Sequence, residues 1–131
     1  MSMPTIFVID DNPDVLSVTL AMFARKGYEA VGATNGLDAI QMLRKVNPDL
    51  IITDVIMPQM DGFQLLKELK NNPLTSDIPI LVISGHGQMA DSFKTMGIDG
   101  FLTKPFSTKN LLLKVQEILG SDQELDDSDA A

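Results

Sequence analysis

Short, nearly unbroken apolar runs alternate along this chain with longer stretches in which apolar residues recur every three or four positions. Thr5–Ile9, Tyr28–Ala33, Leu50–Thr53, Ile78–Ile83 and Gly100–Thr103 are predicted strands. Leu50–Thr53 and Ile78–Ile83 lack polar alternation, as expected of parallel strands covered by helices on both faces. The stretches between them carry helix signals. Asn12-Pro13 reads as a cap followed by proline at the first helical position, and Leu16, Leu20 and Phe23 then fall at helical spacing before Gly27. Ala39, Leu43 and Val46 repeat that spacing before Pro48. Leu65, Leu66 and Leu69 mark a third helix, and Met89, Phe93 and Met96 a fourth that ends at Gly97. The fifth begins at Ser107 and presents Leu111, Leu112, Val115, Ile118 and Leu119. Five strand–helix alternations predict one doubly wound α/β domain with a five-stranded parallel sheet.

Length and charge narrow the picture. The chain has 131 residues, enough for one real core, and residues 1–120 are expected to form it. The net charge of −8 is uneven: Asp122, Glu124, Asp126, Asp127 and Asp129 lie in 121–131, which carries no base. That segment is expected to be an acidic tail or linker stub, too polar to order itself. The rest is only mildly acidic, which argues against nucleic-acid binding. The absence of Cys excludes disulfides, thiolate metal sites and Cys nucleophiles, and the single His excludes most multi-histidine sites. There is no basic signal sequence and no apolar run near the ~20 residues a membrane helix needs. A cytoplasmic domain without membrane contact is expected.

Ligands of an open parallel sheet sit beyond the carboxyl ends of its strands. There the first strand delivers Asp10-Asp11, the third Asp54, the fourth Ser84 and the fifth Lys104-Pro105. Singly, each is an ordinary turn or cap residue. Together, three carboxylates would repel one another unless a cation intervened. Mg²⁺ suits such a set, since it accepts one or two carboxylates and leaves room for phosphate oxygens. An Asp beside such an ion is a candidate nucleophile toward phosphorus. Lys104 and Ser84 supply the positive charge and the hydroxyl that phosphoryl oxygens need.

The chain resembles the receiver domains of two-component response regulators, the CheY-like family. The resemblance rests on four segments in family order: Asp10-Asp11, the run Asp54-Val55-Ile56-Met57-Pro58-Gln59-Met60-Asp61-Gly62, Ser84-Gly85-His86-Gly87, and Phe101-Leu102-Thr103-Lys104-Pro105-Phe106. It spans about residues 4–120 and implies a flavodoxin-like sheet of order 2-1-3-4-5. It also implies that Asp54 accepts a phosphoryl group from a sensor histidine kinase or a histidine phosphotransfer protein. Mg²⁺, or Mn²⁺ in its place, would be bound by Asp11, Asp54 and the Ile56 backbone carbonyl, with Asp10 acting through water. Lys104 would pair with Asp54 and then with the phosphoryl group. Ser84 would turn toward that group, and Phe101 would follow as the aromatic switch. The Lys104-Pro105 peptide would be cis.

Ile56 and His86 occupy the positions that modulate hydrolysis in this family. Ile56 cannot orient water, so slow self-dephosphorylation is expected, with His86 a polar partner or a solvated loop residue. Pro58, Asp61 and Gly62 are expected to shape the loop into the third helix, and Met57 and Met60 to pack. The chain is thus expected to be a signalling phospho-acceptor that assists its own phosphorylation and dephosphorylation, rather than an enzyme. The fourth helix, fifth strand and fifth helix would act on a downstream protein or output domain, as a monomer or a phosphorylation-dependent dimer.

Other readings fit less well. A haloacid-dehalogenase-like phosphatase needs a second acid two residues after the nucleophile, where Ile56 stands. A flavodoxin-like FMN carrier needs an uncharged phosphate loop where Asp10-Asp11-Asn12-Pro13 stands. A Walker A loop is absent. An unphosphorylated receiver-like interaction module remains open from sequence.

Overall fold

The apolar runs form a parallel sheet whose two faces are each buried under helices. The computed structural model describes residues 3–54, 62–85 and 90–120. In chain order the elements are β1 (Thr5–Ile9), α1 (Pro13–Arg25), β2 (Glu29–Ala33), α2 (Gly36–Met42), β3 (Leu50–Asp54), α3 (Gly62–Asn71), β4 (Ile80–Ser84), α4 (Ala90–Lys94), β5 (Gly100–Thr103) and α5 (Thr108–Leu119). The strands are all parallel, in the order β2-β1-β3-β4-β5. This is the doubly wound arrangement expected, with the order the resemblance implied.

Side chains alternate across the sheet, so each strand feeds two cores. Ile6, Val8, Leu50, Ile52, Leu81 and Ile83 pack with Leu16, Met22 and Phe23 of α1 and Leu111, Leu112 and Val115 of α5. Phe7, Ile9, Ile51, Ile80 and Val82 pack with Ala39 of α2, with Leu65, Leu66 and Leu69 of α3, and with Phe93 of α4. At Gly32 of β2 a Cβ would lie 2.6 Å from Leu16 Cδ1 and 2.7 Å from the Val8 carbonyl oxygen, so α1 packs this closely only over glycine.

Local signals set the helix ends. The Asn12 side chain accepts from the Asp14 and Val15 N–H groups, with Pro13 opening α1. Gly27 follows the helix at φ 94°, a conformation a side chain would oppose. Asn35 and Ser107 cap α2 and α5 in the same way as Asn12.

The structure corrects some boundaries. β2 begins at Glu29 rather than Tyr28. β4 begins at Ile80 rather than Ile78, because Pro79 has no N–H to donate and the Ile78 N–H turns back to the Thr75 carbonyl (3.0 Å). Both β3 and β4 run one residue further than expected, so Asp54 and Ser84 are the last residues of their strands. Helix α2 ends at Met42, and Val46 reaches the core from the turn that follows it. Among the described residues helix α4 covers Ala90–Lys94, with Met96 beyond its end. Met89 and the tail 121–131 lie outside the described residues. No helix among the described residues is long and apolar enough to cross a membrane.

Candidate functional site

Asp10 follows β1 directly, and Asp54 closes β3 beside it. Alternation continues Ile6 and Val8 into Asp10, and Ile52 into Asp54, so both carboxylates leave the sheet on the α1/α5 side. Asp11 adds the third acid. One carboxylate oxygen from each of Asp10, Asp11 and Asp54 lies within 4.8 Å of the others. The sequence expectation of three converging acids is met.

Lys104 comes from the end of β5, two strands away from β3. Its backbone N–H donates to the Ser84 carbonyl (2.8 Å), which extends the β4–β5 pairing by one residue and fixes where the side chain starts. The Nζ then donates to Oδ2 of Asp54 at 3.0 Å. The Asp54 side chain is 14% exposed and that of Lys104 is 42% exposed, so the pair stands at the rim with its acid partly enclosed. The Lys104-Pro105 peptide is cis.

Asp10 is not the helix cap it could have been; Asn12 has that task. Instead Oδ1 of Asp10 accepts from the Asn12 backbone N–H (2.9 Å), so the residue that caps α1 also orients the acid before it. In the sequence Asn12 reads only as a cap. Burial holds the Asp10 carboxyl above the usual aspartate value. The Asn12 N–H and then Lys104 oppose this, while Asp54 and Asp11 reinforce it. A carboxylate kept partly out of water beside two others is an unfavourable anion that a hard cation would relieve. The donor set is all carboxylate oxygen, which fits Mg²⁺ and does not fit soft metals. Val8, Ile52, Ile83, Phe106 and Leu111 line a cavity of about 50 Å³ together with Asp10, Asp54 and Lys104, so the polar cluster has apolar backing.

Ser84 is buried at the end of β4, one residue beyond Ile83, the register partner of Asp54. By alternation its side chain follows Val82 toward the α2–α4 side, the face Phe101 also shares. Phe101 is partly buried and packs against that core. Ile56 and His86 lie outside the described residues, as do Met57, Pro58, Met60 and Asp61. Gly62 is the buried first residue of α3.

A profile of the response regulator receiver domain matches residues 6–116. The chain belongs to the response regulator receiver family. Among similar receivers, PilH of Pseudomonas aeruginosa is 31% identical over 89% of this chain and 98% of its own length. The DNA-binding dual master transcriptional regulator RpaA of Synechocystis is 35% identical over 89% of this chain, which spans about half, 49%, of that longer protein. Among solved receiver structures, the chemotaxis response regulator CheY4 of Vibrio cholerae superposes with a TM-score of 0.84 at 28% identity, covering 89% of this chain and 99% of that one. TrrA of Thermotoga maritima, solved in complex with Mg²⁺ and BeF, gives 0.79 at 26% identity, covering 88% and 99%. The receiver reading, and not the phosphatase or the flavin carrier, is the one these likenesses support.

Proposed function

We propose that Asp54 is the phospho-acceptor of this receiver and that the acidic cluster works with Mg²⁺. The observation that carries the reading is the convergence of three carboxylates with one of them, Asp54, held 3.0 Å from Lys104. An Asp54 oxygen attacks the phosphorus of a phosphohistidine on a sensor kinase or phosphotransfer protein. The new P–O bond forms as the P–N bond breaks, and the imidazole leaves with a proton from solvent. Asp11 and Asp54, together with the Ile56 carbonyl and with Asp10 through water, would hold the cation, which would neutralise charge on the phosphoryl oxygens; Mn²⁺ is expected to substitute.

Lys104 loses its carboxylate partner when the Asp54 oxygen becomes part of an acyl phosphate, a mixed anhydride, and turns to the phosphoryl oxygens. Ser84 offers them a hydroxyl, and Phe101 fills the space this opens. Ile56 brings no group to orient water, so the aspartyl phosphate is expected to hydrolyse slowly, with His86 either a polar partner of the phosphoryl group or a solvated residue. The receiver thereby acts on a downstream protein or output domain through α4, β5 and α5.

The test is the intact mass of the protein after incubation with acetyl phosphate, with and without Mg²⁺, for wild type and Asp54→Asn. A gain of one phosphoryl group that needs Mg²⁺, is removed by hydroxylamine and is absent from Asp54→Asn is the expected result. An equal gain in Asp54→Asn would refute the assignment.

A further inference from the structure

Three of the chain's six phenylalanines form a row across three different elements. Phe93, on α4, is fully buried in the middle. Its ring stacks on Phe63 of α3 with centroids 4.3 Å apart and planes 12° apart. On its other side it meets Phe101 of β5 at 6.1 Å, with a tilt of 32°. Phe63 and Phe101, at the two ends, are partly buried. Phe63 also lines an open groove of about 720 Å³ with Lys67, Glu68, Asn71 and Met96, which includes none of the Asp10, Asp11 and Asp54 cluster.

We propose that Phe93 is a relay that carries the state of the Asp54 site from Phe101 to Phe63, and so to the groove along α3. The proposal rests on Phe101 responding to that site, as in the function proposed above. Its own physical basis is the enclosure of the middle ring. A Phe101 ring that moves into the space opened at Ser84 withdraws from Phe93, and a core at crystal-like packing density closes the gap left beside a fully buried ring by shifting that ring. The near-parallel stack with Phe63 is the contact through which that shift leaves the core. A contact at Phe63 that differs between the two states of the site biases the balance between them, so a substitution at Phe63 shifts the affinity of the Asp54 site for a phosphoryl mimic.

The experiment labels all six phenylalanines with 4-fluorophenylalanine and follows their ¹⁹F resonances while Mg²⁺ and beryllium fluoride are titrated in. In wild type the Phe101 and Phe63 signals are expected to move along the same titration curve. In Phe93→Leu the Phe101 signal is expected to move as before and the displacement at Phe63 to fall at least threefold. A Phe63 signal that stays fixed in wild type while Phe101 moves overturns the relay, and so does an undiminished response in Phe93→Leu. The reciprocal arm leaves the buried ring intact: Phe63→Leu is expected to change the beryllium fluoride affinity at least threefold, and an unchanged affinity overturns the relay independently. Should Asp54 take up phosphate with Phe101 unmoved, the relay fails and the acceptor assignment stands. Should neither phosphate nor signal respond, both fail.

Discussion

Aspartates stand at both ends of this sheet, and the two groups are treated in opposite ways. At the amino end, Asp49 precedes β3 and Asp99 precedes β5. Asp49 accepts the Thr5 N–H on its side chain (2.7 Å) and donates its own N–H to the Thr5 carbonyl (2.8 Å). Asp99 does the same with Ile80, at 2.9 Å in each direction. Each acid is a two-point clamp that ties the start of one strand to its neighbour. At the carboxyl end, Asp10, Asp11 and Asp54 crowd together around a single lysine, and burial raises the Asp10 carboxyl. The same side chain stabilises the fold where it is matched to backbone donors and meets repulsion where it is crowded beside other carboxylates.

Breaking the amino end should therefore weaken the fold and spare the chemistry. Asp99→Ala leaves the N–H of the buried Ile80 without its side-chain acceptor and should lower stability by about 1.5–3 kcal/mol in urea unfolding, as expected for a bond to a charged acceptor. Phosphoryl uptake by the folded fraction should be unchanged. Breaking the carboxyl end should do the reverse. Lys104→Ala should slow uptake from acetyl phosphate about tenfold or more, a transition-state loss of about 1.4 kcal/mol or more, measured by intact mass against time. Its effect on stability should stay within about 1 kcal/mol, since the lysine is well exposed.

Asp10 sharpens the comparison through pH. Its carboxyl titrates above the unfolded aspartate value, so the folded state binds more protons than the unfolded state between those two values. Its favourable contribution is complete below the unfolded pKa and is lost as pH rises through the folded one. Asp10→Asn should therefore raise the melting temperature at pH 7 without Mg²⁺ while weakening Mg²⁺ binding by calorimetry. In wild type, Mg²⁺ affinity should fall as pH is lowered through the raised value. The smallest effect is expected at Tyr28, just before β2, whose buried hydroxyl has no hydrogen-bond partner among the described residues. Tyr28→Phe should be neutral or stabilising by at most about 1 kcal/mol in the same unfolding assay, the desolvation of an unmatched hydroxyl being removed with the group.

The carboxyl-end acids were legible because they close nearly unbroken apolar runs, where a strand must stop and where an open parallel sheet binds its ligands. The amino-end clamps were not: Asp49 and Asp99 look like turn residues, and only the register of neighbouring strands shows which N–H each one meets. The strand order likewise came from resemblance rather than from pattern, because hydrophobic periodicity fixes which face a residue takes but not which strand lies beside it. The position of Lys104 opposite Asp54 follows from that order. Phe63, Phe93 and Phe101 show the same boundary. Each sits at an apolar position that its own element explains, yet the row they form depends on how α3 and α4 meet β5. Local errors had local causes, as where Pro79 delays the start of β4.

The most direct test of the central assignment is to locate the phosphoryl group itself. Protein treated with acetyl phosphate and Mg²⁺ would be reduced with borohydride, which converts an aspartyl phosphate to homoserine, and then digested and mapped by peptide mass. The account predicts homoserine at position 54 and unmodified aspartate at positions 10 and 11. Homoserine at 10 or 11, with position 54 intact, would contradict it.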